Sequence, residues 1–474
     1  MPSRRARPRF GGAFVWLPLA LVLAVLATAF VAFEVDLGNR LGIAHVAPVE
    51  PEEVPEPEGL ELPQMASPRP VAAPAATDVE VSADAVRRAV RSALNEKDLG
   101  PHVIAAVGSP DGAVWWSNDA GNGTPASLMK LVTGIAALDA LGPDHTFRTS
   151  VRRTDRPGVI TLVGGGDPYL ATEPSEPTDW PQVADLTTLA AETAAELLND
   201  GRTRVRLRFD DALFDGPGLS EEWESGYFPS EVSKITSLWV DQGRPAAGES
   251  RVDQPARMAA RRFADLLEDA GVKVRGNPRP ADEEATGAEI AGVDSPPVRQ
   301  IVERVIAVSD NSGAESLARH VGIAEGTGAD FDGGTRGVRA VLKRLDIPLE
   351  GSRILDGSGL SRQNLLTADT LLAVLATAAQ RDELAGVIEG LPVAGFNGSA
   401  TYRLGASDPE GLGKVRAKTG TLTGVHGFAG TVVDRTGTPM TFVVFGDQVA
   451  PDKGLGARKA IDDFAAALAA CRCS

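Results

Sequence analysis

Cysteine is nearly absent: the 474-residue chain has two, Cys471 and Cys473, at its extreme C-terminus with one residue between them. That placement argues against an ordinary disulfide and against a four-ligand metal site, so no covalent framework supports the fold. Histidine is scarce too. His45, His102, His145, His320 and His426 are scattered without the paired spacing of a zinc hydrolase, and neither a metal nor a cofactor is expected. Positive charge is in deficit. Against 64 Asp and Glu stand 47 Lys and Arg, a formal net charge of −17, which excludes nucleic acid as the expected partner because phosphate backbones are bound by cationic excess.

What is present reads as an exported globular protein. Composition is 43% hydrophobic and 23% charged, and 51 Gly and 33 Pro imply many turns and at least one linker. Residues 1–12 carry Arg4, Arg5, Arg7 and Arg9 and read as a cytoplasmic terminus. Residues 13–33 are almost uninterruptedly apolar, and as a helix would span about 31 Å, enough to cross a bilayer. Arginines before the run and Glu34 and Asp36 after it predict an N-inside orientation, a single-pass anchor with the rest of the chain on the extracytoplasmic side. Ala27-Thr28-Ala29 leaves a cleaved signal and a secreted product as the alternative. Residues 34–81 form a linker, dense in Pro and Glu between Ala47 and Thr77, that cannot bury a core.

From Ser82 the pattern is that of a folded domain. Ser82 caps a predicted helix, and HVIAAVGSPDGAVWWSN reads as a hairpin around a Pro-Asp-Gly turn. PASLMKLVTGIAALDALG is a strong helix with Pro125 near its start and Gly142 past its end. Short strands are predicted over 146–163, helices over 185–199, 255–271 and 297–308, then strands from Gly411 and a closing helix over 456–470. Gly164 to Gly166 are followed by Asp167-Pro168 rather than Gly-Lys-Ser/Thr, so they read as a turn and not a phosphate loop. A sheet whose first and last strands lie far apart in sequence is implied.

Ser127 and Lys130 stand three apart at a helix start, so their side chains share a face. A serine attacks a carbonyl only if its proton is taken, and a lysine whose pKa is lowered by burial or neighbouring cations can take it. The helix N-terminus adds backbone N–H groups near a developing oxyanion. Alone, the pair is indistinguishable from a serine cap beside a solvated lysine. Two further motifs alter that balance: Ser309-Asp310-Asn311 after an apolar helix, and Lys418-Thr419-Gly420-Thr421 opening a strand-like stretch. Order and setting match the S-x-x-K, S-D-N and K-T-G set of serine penicillin-interactive enzymes.

With PASLMKLVTGIAALDALG, LVGGGDP, FDDALFDGP, VSDNSGAESLARHVG, DGSGLSRQNLLT and AKTGTL also in order, the chain from Ser82 onward resembles the D-alanyl-D-alanine carboxypeptidase/endopeptidase family, the class C low-molecular-mass penicillin-binding proteins. The resemblance implies an α+β penicillin-binding, serine β-lactamase-like transpeptidase fold, with an antiparallel sheet flanked by helices and an inserted β-rich accessory domain. The expected catalytic domain is residues 82–146 and 244–474, with the insert at 147–243. It also implies Ser127 as nucleophile, Lys130 as base, Ser309 and Asn311 as catalytic partners, and Lys418, Thr419, Gly420 and Thr421 as the substrate-binding strand. Lys418 would attract a terminal carboxylate, Gly420 would let substrate approach, and the amides of Ser127 and Thr421 would form the oxyanion hole. Asp310 would support its loop. The implied substrates are peptidoglycan stem peptides ending in D-Ala-D-Ala, with β-lactams as inhibitors. A serine β-lactamase, a transpeptidase or a non-catalytic wall-binding scaffold are the competing expectations.

Overall fold

A computed structural model describes residues 81–282, 285–405 and 408–474. The expected cytoplasmic terminus, membrane anchor and all but the last residue of the linker lie outside the described residues, among which no helix is long and apolar enough to cross a membrane.

Helix α1 (Ala83–Leu94) starts where Ser82 accepts a bond from the Ala85 amide, and it buries Val86, Val90 and Ala93, an i, i+4, i+7 stripe. The hairpin β1 (Val103–Gly108) and β2 (Val114–Ser117) follows as predicted. Helix α2 (Met129–Leu141) is stopped by Gly142 at φ 89°, a conformation that glycine adopts without penalty. The C-terminal strands β7 (Val415–Leu422), β8 (Val425–Val433) and β9 (Pro439–Gly446) complete an antiparallel sheet in the order β7-β8-β9-β1-β2. Val103 pairs with Gly446, so the sheet joins the two ends of the folded chain.

Both faces of this sheet are covered. Ala105, Val107, Phe428, Phe442 and Val444 pack on α1 and the closing helix α9 (Gly454–Ala470). Ile104, Ala106, Val443 and Phe445 face α2 and α8 (Ala368–Gln380), behind which lie α5 (Val298–Val308), α6 (Asn311–Ala324) and α7 (Phe331–Arg344). Such strands read as continuous apolar runs, with each buried large side chain contributing about 1.5–3 kcal/mol.

A second sheet lies between α2 and α5 in sequence. It contains β3 (Arg148–Arg153), β4 (Val159–Val163), β5 (Arg204–Asp210) and β6 (Glu289–Asp294), with helices α3 (Leu186–Asn199) and α4 (Pro255–Asp269) packed on one face. The expected end of the insert at 243 is therefore too early. Arg148 pairs with Asp294, so the strand that closes this sheet returns only after α4. The half-exposed β6 lacks the apolar signal that marks a strand in sequence, and α4 belongs with the insert rather than with the catalytic domain. Nor is the insert purely β-rich: two helices make up its cover.

The expectation for the two cysteines is also corrected, since Cys471 and Cys473 are joined as a disulfide with Cα atoms 5.4 Å apart. Extended backbone after α9 gives two cysteines two residues apart the reach that spacing alone argued against.

Candidate active site

Ser127 sits in the 3₁₀ turn Ala126–Leu128, one turn earlier than the regular part of α2. Ala126 has φ 48°, a conformation costing a residue with a Cβ roughly 1–2 kcal/mol, so the surroundings must impose it. They do so from two sides. Asp447, just past β9, accepts the Thr124 amide at 3.0 Å, and Thr124 Oγ1 donates to the Arg362 carbonyl at 2.9 Å. Gly359 at φ 86° presses on the Ala126 carbonyl so closely that a Cβ there would lie 1.9 Å from its oxygen.

One helical turn on, Lys130 is fully buried. Its Nζ lies 3.0 Å from Ser127 Oγ, 2.7 Å from Asn311 Oδ1 and 2.7 Å from the Ser358 carbonyl. Burial pushes its pKa down to about 8, against the opposing pull of Asp356, Asp310 and Glu315. Beneath it, buried Glu315 accepts the amides of Gly357 and Ser358, and its own pKa is raised to about 7 by burial and then by Asp356.

Ser309 ends α5 in the left-handed region at φ 61°, and Asp310 caps α6 by accepting the Gly313 amide, the supporting role expected of it. Asn311 therefore opens α6, its amide bridging Lys130 and, through Nδ2, the Glu231 carbonyl at 2.9 Å. From the edge strand β7, Lys418 Nζ donates to Ser309 Oγ at 2.8 Å and to the Thr419 carbonyl at 2.7 Å. Ser127, Lys130 and Asn311 thus form one hydrogen-bonded set and Ser309 and Lys418 another, the two drawn together from three distant segments.

Two details depart from expectation. Lys418 is fully buried, its pKa held well below the usual lysine range by burial and by Lys130, so its ammonium supports Ser309 rather than being displayed on the cleft wall. Gly420 faces the nucleophile turn: a Cβ there would sit 2.8 Å from the Pro125 carbonyl, so it admits the serine turn against β7 rather than a substrate. Thr419 and Thr421 do reach the open side. With Ser127, Ser309 and Asn311 they border a cleft of about 570 Å³ whose far wall includes Tyr227 and Glu231.

That wall escaped the sequence reading. It belongs to the irregular segment 211–243 after β5, which also sends Gln242 Nε2 to Asp310 Oδ2 at 2.5 Å, the Ser233 amide to Ser312 Oγ at 3.0 Å and Trp223 Nε1 to Asp356 Oδ2 at 2.9 Å. No periodic pattern marks these residues. The Glu315, Asp356 and Ser358 layer had a signal, the glycines of Asp356-Gly357-Ser358-Gly359, whose reason is the approach to Ala126.

A cleft serine bonded to a buried lysine, with a second serine and asparagine across the cleft, on an antiparallel sheet sandwiched by helices, defines a serine peptidase of the penicillin-binding type. The profile of the D-Ala-D-Ala carboxypeptidase 3 (S13) family matches residues 86–247 and 234–468, and the chain belongs to that family. It is 32% identical over 466 residues to carboxypeptidase DacB of Mycolicibacterium smegmatis, covering 96% of each chain. With the D-alanyl-D-alanine carboxypeptidase of an Actinomadura species it shares 29% identity, over 69% of this chain and 74% of that one. The crystal structure of penicillin binding protein 4 (dacB) from Haemophilus influenzae has the same fold, with a TM-score of 0.66 and 21% identity over 79% of this chain and 97% of that one.

Proposed function

We propose that the protein removes the terminal D-alanine from peptidoglycan stem peptides through an acyl-enzyme on Ser127, and that β-lactams acylate the same serine. The observation that carries this reading is the 3.0 Å approach of Ser127 Oγ to a lysine amine that is fully buried and depressed to about pKa 8. A neutral Nζ takes the Ser127 proton as Oγ attacks the penultimate D-alanine carbonyl. The amides of Ser127 and Thr421 receive the oxyanion. When the tetrahedral species collapses, the proton that Lys130 took passes by way of Ser309, whose hydroxyl is held by Lys418, to the leaving amine, and the Lys130 amine is neutral again. Water then attacks the ester, and the proton it loses returns by way of Lys130 to Ser127 Oγ. Names of the relatives, carboxypeptidases in Mycolicibacterium and Actinomadura, and the β-lactam complex of the Haemophilus protein support the substrate and inhibitor class.

The second part of the reading is location. The Arg-flanked apolar segment 13–33 and the Pro/Glu-rich stretch after it support a membrane tether with the enzyme on the outer side, where its substrate is. Sedimentation of the full chain with membranes, and release of a chain beginning at Ser82, is the expected outcome.

Labelling with a fluorescent penicillin together with an assay of released D-alanine tests the chemistry. Ser127→Ala is expected to abolish both, a loss on the order of 10⁴-fold or more, without a change in thermal unfolding. Labelling that persists in Ser127→Ala refutes the proposal. Rapid hydrolysis of the penicillin would make the protein a β-lactamase, and cleavage of cross-linked muropeptides without D-alanine release would make it an endopeptidase.

A further inference from the structure

The inserted sheet has one covered face, and its open face carries charge that folding alone does not explain. Arg204, Arg206 and Arg208 alternate along β5 and point away from α3 and α4. Two short strands, Lys273–Val274 and Arg279–Pro280, pair with β5 along its edge, and their registers set Lys273 opposite Arg204 and Arg279 opposite Arg208. On the inner side Arg208 stands opposite Thr161 of β4, and Thr161 opposite Arg152 of β3. Neighbouring strands lie about 5 Å apart and alternate residues of one strand about 7 Å apart, so these side chains form a single cationic field. None of them borders the catalytic cleft.

Like charges set directly opposite one another destabilise a sheet, and here this happens twice in a chain whose net charge is −17. Carboxylates are present but serve other positions: Asp282 pairs with Arg208 at 3.1 Å, and Glu289 with Arg148 and Arg152 at 2.8 and 3.6 Å. Arg204, Arg206, Lys273 and Arg279 are exposed and have no ion-pair partner among the described residues. No exposed large apolar side chain lies on these strands, so the face offers a bilayer nothing to insert. We propose that this open face is a docking surface for the peptidoglycan polymer, holding the C-terminal carboxylates of stem peptides on arginine forks while the cleft works on others. The inference rests on the carboxypeptidase reading, in which the polymer presents repeated free carboxylates. A protein of net charge −17 is repelled by such a polymer unless a cationic face turns toward it. Docked there, the enzyme stays on its insoluble substrate between turnovers and meets further stem peptides at high effective concentration.

The test compares the full chain in detergent with the double variant Arg204→Glu, Arg206→Glu. Both are assayed for cosedimentation with pentapeptide-rich peptidoglycan sacculi, for D-alanine release from those sacculi, and for D-alanine release from a soluble N-acylated peptide ending in D-Ala-D-Ala. The double variant is expected to bind sacculi about tenfold or more weakly and to release D-alanine from them correspondingly slowly, while kcat/KM on the soluble peptide stays unchanged. Its thermal midpoint is expected to hold or rise, because Glu at 204 faces Lys273. Converting the sacculus carboxylates to amides is expected to weaken the unaltered protein to the level of the variant. Sacculus binding that the reversal leaves unchanged overturns the docking surface. If the reversal instead abolishes adsorption to phosphatidylglycerol vesicles or self-association in sedimentation, the face belongs to a lipid surface or to a second copy of the chain, and the proposal is likewise overturned. Equal losses on sacculi and soluble peptide also overturn it, with the carboxypeptidase reading intact. If the unaltered protein shows no Ser127-dependent D-alanine release from either substrate, that reading falls and the docking surface with it.

Discussion

The two sheets solve burial differently, and the contrast separates chemistry from support. In the catalytic sheet β9 is buried at nearly every residue, because helices cover both faces and the strand has no solvent side. In the inserted sheet β5 alternates Val205, Leu207 and Phe209 inward with Arg204, Arg206 and Arg208 outward, because α3 and α4 cover one face only. The doubly covered sheet can keep lysines dry, and Lys130 and Lys418 both lie against it at full burial. A one-sided sheet cannot depress an amine in that way. What the insert contributes is backbone and amide contacts to the loop that carries Ser309 and Asn311, through Glu231, Ser233 and Gln242.

The sharpest way to break this division is at Lys130. Lys130→Met fills the space without a base and is expected to slow penicillin acylation on the order of 10²–10⁴-fold while the protein stays folded by circular dichroism. In the unaltered protein the sign of the pH dependence follows from the depressed pKa. Above about pH 8 the amine is neutral and accepts the serine proton; below it Nζ is protonated and acylation declines as pH falls. A rate that is flat from pH 6 to 9 would remove Lys130 as the base. Next in size is a stability effect confined to the insert: Phe263→Ala empties the fully buried contact between α4 and its sheet and should cost about 3–5 kcal/mol in denaturant unfolding. Its acylation rate per folded molecule should stay near that of the unaltered protein, and a collapse of that rate would show that the sheet itself, not merely its loop contacts, shapes the site. The smallest effect expected is that of Gln242→Ala. Loss of its bond to Asp310 should cost about 1 kcal/mol and slow acylation several-fold by loosening Asn311, with the pH midpoint unmoved.

How far the sequence carried this picture depended on the kind of signal each element leaves. Helices with a polar cap and an apolar stripe, such as α1, were legible to within a residue, as was the β1–β2 hairpin around its turn. The reacting residues were legible because Ser127, Lys130, Ser309, Asn311 and Lys418 each sit in a short motif whose spacing reflects one helical turn or one strand. Their environment was not. Burial of Lys418 depends on a partner 109 residues away, and nothing local distinguishes a lysine that faces solvent from one bonded to Ser309. Gln242, Glu231 and Tyr227 occupy irregular chain, where contacts are long-range and no periodicity records them. The insert's closing strand failed for the opposite reason, since β6 pairs by backbone and buries too little to leave an apolar trace.

The pairing of Val103 with Gly446 also dictates an order of events. The inserted sheet closes its register between residues 148 and 294, whereas the sheet that carries Lys418 has no central partner for β1 until the last strand has been made. Because long-range pairing must bear its loop-closure entropy before any contact rewards it, the insert is free to fold while the chain is still emerging. The catalytic half must wait for its end. An enzyme assembled this way gains its nucleophile's setting in the final step of folding, so a chain shortened before β9 would hold a folded insert and every residue of the S-x-x-K, S-D-N and K-T-G motifs, yet no active site.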